Sequence, residues 1–184
     1  MKTTKCMKVA VLASFLLASS SQALPLISTE FGGMLGTSFD RAKDLNVDGD
    51  TNLTYGAYAR VWLKPGSVRI APFIKWENLT GFSQNTVNTA LVNLMLDNGN
   101  RSNNLQYGAV VGFEFFYFTP YAGISYSQFT DAAISNTWAL NYGLKFDVPL
   151  FPITVGVDAS WQKPKVKDLL VDMYRVNLTV GLQF

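Results

Sequence analysis

The chain has no histidine and a single cysteine, Cys6. Without imidazole the commonest general base of hydrolases and acyl transferases is missing, so the usual triad chemistry is excluded and no enzyme is expected. One thiol cannot form an intrachain disulfide. Long apolar runs are also lacking. The mainly apolar stretch at residues 9–18 is ten residues long, about half of what a helix needs to cross a bilayer. Lys2, Lys5 and Lys8 accompany this stretch and Ser21-Gln22-Ala23 follows it, a small-x-small site. Residues 1–23 therefore read as a secretory signal peptide, and residues 24–184 as the mature domain. That cleavage would leave 161 residues and no cysteine. It would also remove three lysines and no acid from the fifteen basic and thirteen acidic residues, so twelve face thirteen. No basic surplus remains, which excludes nucleic acid as a partner.

What the chain has instead is alternation with a period of two. In residues 174–184, Tyr174, Val176, Leu178, Val180, Leu182 and Phe184 alternate with Arg175, Asn177, Thr179, Gly181 and Gln183. This is a strand with one apolar face. Similar segments at 26–37, 53–63, 68–77, 105–116, 120–128, 137–148 and 153–162 bring the count to eight. Their polar faces carry charge, as at Arg69, Lys75 and Glu77 opposite Ile70, Ile74 and Trp76. An even number of such segments predicts an all-β, transmembrane, eight-stranded antiparallel up-and-down barrel, with lipid outside and polar groups inside.

Short links at 64–67, 117–119 and 149–152 alternate with longer ones at 39–52, 78–104, 129–136 and 163–172. Short turns face the periplasm and long loops the exterior. Tyr55, Trp76, Tyr107, Tyr126, Trp138, Trp161 and Tyr174 lie near the loop ends, and Phe115, Phe146 and Phe184 near the turn ends, giving two interfacial belts.

Signal peptide, eight strands, belts and terminal Phe184 together resemble the small bacterial outer-membrane barrels of the OmpA membrane-domain and OmpX kind. Thr119-Pro120-Tyr121-Ala122-Gly123 is also similar to a strand start shared by OmpA-like and OmpW-like barrels. The resemblance implies a multi-pass outer-membrane protein surrounded by lipid and lipopolysaccharide. It further implies that Tyr174, Leu182 and Phe184 form the signal read by the barrel-assembly machinery. A monomer is expected.

Inward positions carry five cations, Arg60, Arg69, Lys75, Lys145 and Arg175, and five anions chosen from the strand faces, Glu30, Glu77, Glu114, Asp147 and Asp158. Mixed charge in so narrow a barrel suggests a salt-bridged plug more than a path for one ion sign. Two loops are candidates for function. Asp44, Asn46, Asp48 and Asp50 follow the first half of a D-x-N-x-D-G calcium loop, although Tyr55 occupies the twelfth position, so a weak calcium site is the most that is expected and no other cofactor is implied. In loop 78–104, Val87, Ala90, Leu91, Leu94 and Met95 have helical spacing after Asn85 or Thr86, predicting a short amphipathic helix. It could pack on the rim, cover the mouth, or meet a partner. The expected role is structural or surface-interaction, meaning adhesion or envelope contact through loops 39–52 and 78–104; the alternative is an OmpW-like channel for small solutes.

Overall fold

The computed structural model describes residues 26–42, 47–79, 102–132, 134–166 and 169–184, and every element among them is a strand. In chain order these are β1 (Ile27–Ala42), β2 (Val47–Leu63), β3 (Val68–Leu79), β4 (Ser102–Phe113), β5 (Phe118–Phe129), β6 (Thr137–Asp147), β7 (Ile153–Gln162), β8 (Lys165–Val166) and β9 (Leu169–Gln183). Each pairs antiparallel with its neighbour in the order β1 to β7, then β9, and β9 returns to β1. Eight long strands thus close a barrel, while β8 only extends the rim beside β9. Closure runs from Ala42 opposite Val171 to Glu30 opposite Gln183. It continues to the last residue: Thr29 N–H donates to the Phe184 carbonyl at 2.8 Å, and Phe184 N–H to the Thr29 carbonyl at 2.9 Å. No ladder edge is left for lipid to desolvate along this seam.

The side chains are distributed inside out. Leu35, Ile74, Val111, Ile124, Leu140, Leu178 and Val180 are exposed on the outer surface. Glu30, Arg60, Lys75, Glu77, Gln106, Asn141, Asp158, Arg175 and Asn177 are buried within. An apolar exterior of this extent cannot face water, and it fits the hydrocarbon of a bilayer. Aromatic rings mark its edges. On the loop side Tyr55 meets Trp76, Tyr126 bridges Tyr107 and Trp138, and Trp161 stacks on Tyr174, with centroids 5.5–6.3 Å apart. On the turn side Phe118 packs on Phe146 and Phe31 on Phe184. Trp138 and Phe146 lie on the same strand, β6, about the separation at which a tilted strand crosses the membrane.

Four boundaries differ from the alternation. The connection expected at 39–52 is mostly ladder, because β1 and β2 stay paired to Ala42 opposite Val47. Beyond the belt neither face meets lipid, so polar residues such as Asp40 and Asp48 continue the strands without an apolar stripe. The last strand starts at Leu169, and β8 lies inside the segment expected as loop 163–172. There Ile134, Val166, Val171 and Met173 form a small core joined by Phe129, so the loop side of the strand is covered by other loops. The turn expected at 117–119 sits earlier, where Phe115 and Phe118 bridge and Phe116 takes a left-handed φ of 56°. Belt aromatics there continue the alternation past the strand end. Finally, β3 runs to Leu79 and β4 begins at Ser102; the helix expected over Val87 to Met95 lies outside the described residues, as does the expected signal peptide.

Candidate functional site

Strand parity places the same face of β1, β2, β3, β6, β7 and β9 toward the axis, and the charged residues on those faces join into three tiers. Nearest the turns, Glu30 accepts from Trp62 Nε1 at 2.5 Å, Tyr58 Oη at 2.8 Å and Thr154 Oγ1 at 3.2 Å. Two cations flank it, Lys145 at 3.9 Å and Arg60 at 3.8 Å. Lys145 also pairs with Asp147 at 2.8 Å and donates to Gln183. Its ammonium lies 5.1 Å from the centre of the Trp62 ring.

The middle tier is centred on Asp158. One carboxylate oxygen accepts from Arg60 at 2.7 Å and from Tyr121 Oη at 2.9 Å, and the other from Lys75 at 2.8 Å. The Arg60 guanidinium lies between two rings, 4.5 Å from Tyr58 and 4.8 Å from Tyr121. Space for these tyrosines comes from glycines. A Cβ at Gly143 would fall 2.4 Å from Tyr121 Oη, and one at Gly181 2.5 Å from Tyr58 Oη. Both glycines serve a close approach inside the barrel.

Toward the loops, Arg175 pairs with Glu77 at 2.5 Å, and Glu77 accepts from Asn177 at 2.8 Å. Thr54 donates to Asn177. Ser127 donates to Asn104, and Asn141 to Ser125, so amides and hydroxyls fill the remaining width. Charges this deeply buried persist only when paired and hydrogen-bonded, a condition met at each tier.

Of the ten lumen residues read from the sequence, eight thus enter the tiers: Glu30, Arg60, Lys75, Glu77, Lys145, Asp147, Asp158 and Arg175. Lys75 bonds Asp158 and not Glu77, its neighbour two residues on, and so couples the middle tier to β3. Arg69 and Glu114 pair with each other at the turn rim, partly exposed. Sequence reading missed Trp62 and Tyr121 as lumen members, and the hydroxyl role of Tyr58. Strand parity was the available signal: Trp62 is two residues beyond Arg60, and Tyr121 is two residues before Gly123. The inward side chain of Asp40, buried near the rim, was missed because that segment read as loop. Of the calcium candidates, Asp48 and Asp50 lie in β2, Asp48 opposite Arg41; Asp44 and Asn46 lie outside the described residues. Tyr174 stacks on Trp161, Leu182 is outward and opposite Phe31 and Ile153, and Phe184 closes the seam.

No protein-family model and no curated protein matches the chain. Among solved structures it is similar to Neisserial surface protein A, at 12% identity over 85% of this chain and 97% of that one, TM-score 0.47. It is similar to the attachment invasion locus protein Ail of Yersinia pestis, solved with the heparin analogue sucrose octasulfate, at 15% identity over 86% and 99%, TM-score 0.46. It also resembles the outer membrane protease OmpT of Escherichia coli, at 8% identity over 86% and 96%, TM-score 0.37. These likenesses concern fold alone. The closed ladder, the apolar exterior and the two aromatic belts make the chain a small eight-stranded transmembrane barrel.

Proposed function

We propose that this barrel is a plugged scaffold whose work is contact with another surface through its extracellular rim. The observation that carries the reading is the sheet that outlasts the membrane. Past the belt residues Phe39 and Tyr174, β1 stays paired on both sides to Ala42, with β2 on one flank and β9 on the other. β8 and the core of Ile134, Val166, Val171 and Met173 brace it. Such an extension is a rigid platform, which suits recognition better than a loose loop does. Adhesion to a host cell or contact with an envelope component is the role this supports.

Two further parts of the reading have their own grounds. Residues 1–23 act as a signal peptide cleaved near Ala23, supported by Lys2, Lys5, Lys8 and the small residues at 21 and 23. The protein is non-catalytic, supported by the absence of histidine and by the engagement of Glu30, Glu77 and Asp158 with cations rather than with an open cleft. An OmpW-like conduit is disfavoured by the same filling of the lumen.

The test compares liposomes carrying the refolded mature barrel with liposomes carrying a variant whose residues 40–50 are replaced by an Asn-Gly turn. Both are applied to epithelial monolayers and to isolated cell envelopes. Retention of the intact barrel several-fold above the shortened one on either surface is expected; equal retention on both would remove the platform from the account.

A further inference from the structure

Above the belt, one buried carboxylate lacks the pairing that the three tiers show. Asp40 lies at the loop-side mouth of the lumen and is 7% exposed. Its Oδ1 is buried without a hydrogen-bond partner, and among the described residues the carboxylate forms no ion pair. The ladder explains its surroundings. On one side Asp40 stands opposite Met173 of β9, which belongs to the apolar core of Ile134, Val166 and Val171. On the other, the β1–β2 register slips between Phe39 and Arg41, so Gly49 and Asp50 together span the single position of Asp40. This is a β-bulge, which interrupts pairing and re-aims a side chain.

The charged groups nearby do not make up the deficit. Arg175, the next inward residue of β9 after Met173, is committed to Glu77. Arg41 stands opposite Asp48 on one flank and Asp172 on the other, one step out of phase with Asp40. Along this stretch β2 brings two acids, Asp48 and Asp50, and no base. Gln162, across from Met173 on β7, is uncharged, and Lys165 of β8 is exposed to solvent. A carboxyl in such a place is stable only when neutral. Burial away from water accordingly pushes the Asp40 carboxyl up to about 6, against the pull of Arg175.

We propose that Asp40 is an acid-operated clasp: with its carboxyl protonated, β1 and β9 stay zipped above the membrane, and with it ionised the seam beyond Phe39 loosens. The direction follows from linkage. A carboxyl that holds its proton more tightly in the closed seam than in the open one favours closure at low pH. That advantage is complete below the ordinary value of 3.8 and is lost as pH rises to about 6. The clasp rests on the platform of the surface-contact reading, and adds that a mildly acidic medium makes the platform rigid.

The test is hydrogen exchange of the refolded mature barrel in phospholipid nanodiscs, read as protection factors at pH 4.5 and 7.5 so that the intrinsic pH dependence of exchange cancels. Protection of the ladder amides in 39–42 and 171–174 should be about tenfold or more higher at pH 4.5, within the roughly hundredfold ceiling that such a displaced carboxyl allows. Amides of the same two strands inside the membrane, in 31–37 and 176–182, should show no such change. Asp40→Asn keeps the shape and should hold the seam at its acid level of protection at both pH values. Asp40→Ala serves should that variant fail to refold, and should likewise flatten the profile. Equal protection of the parental seam at the two pH values would overturn the clasp, as would a pH dependence that survives in the variants. No surface is present in this experiment, so its result stands apart from that of the retention assay.

Discussion

Asp158→Asn should cost the refolded barrel about 3–5 kcal/mol, read as a lowered midpoint in urea unfolding from lipid vesicles. The carboxylate is 2% exposed and is shared by Arg60, Lys75 and the Tyr121 hydroxyl. Removing its charge leaves two cations in the middle tier, and the other acids beside them are already engaged: Glu30, 3.8 Å from Arg60, by Trp62, Tyr58 and Thr154, and Glu77 by Arg175 and Asn177. The amide keeps the shape, so the loss measures the charge. Glu114→Gln supplies the contrast. Its pair with Arg69 sits at the turn rim, the side chains 28% and 13% exposed, and surface pairs contribute about 0–1 kcal/mol. Equal losses in the two variants would mean that the tiers are incidental to stability.

Deleting Phe184 should have the second-largest effect. The residue contributes two backbone hydrogen bonds with Thr29 and a ring stacked 5.8 Å from Phe31. Two hydrogen bonds at about 1 kcal/mol each and an aromatic pair at about 1 kcal/mol give roughly 3 kcal/mol. In lipid the exposed Thr29 groups find no water, which adds to the cost. Slower refolding into vesicles and a smaller yield at the outer membrane in cells are expected, the second because the terminal strand resembles the assembly signal. Replacing the ring alone, by Phe184→Ala, keeps the two hydrogen bonds and should recover more than half of the loss. Parental stability in the deletion would show that the seam closes without its last pair.

The barrel was legible because lipid imposes one rule on each membrane-spanning strand: apolar outside, polar inside. β7 has the bounds that its alternation predicts, since both of its ends coincide with the edges of the bilayer. Where the rule stops, legibility stops. Asp40, Arg41, Asp48 and Asp50 belong to β1 and β2 above the belt, where lipid no longer imposes an apolar stripe to mark the strand. Leu169 to Asp172 read as loop because Val171 is buried beneath other loops, while Asp172 on the opposite face is held by Trp161 and Lys163. The aromatic run from Phe113 to Phe118 hid a turn, since rings suit both a strand face and an interface. Inward charges could be named from parity, but their partners could not. Which carboxylate meets Lys75 depends on strand stagger and on where Tyr58 and Tyr121 lie in the lumen, and that follows from the room left by Gly143 and Gly181.

The central claim is that Glu30, Asp158, Glu77 and their cations shut the lumen. Single-channel recording of the refolded mature barrel in planar bilayers tests it most directly. The account predicts no unitary steps from the parent and openings when the middle tier is emptied in an Arg60→Ala, Asp158→Ala double variant. Steady unitary conductance in the parent would contradict it, since the paired charges would then line a path instead of closing one.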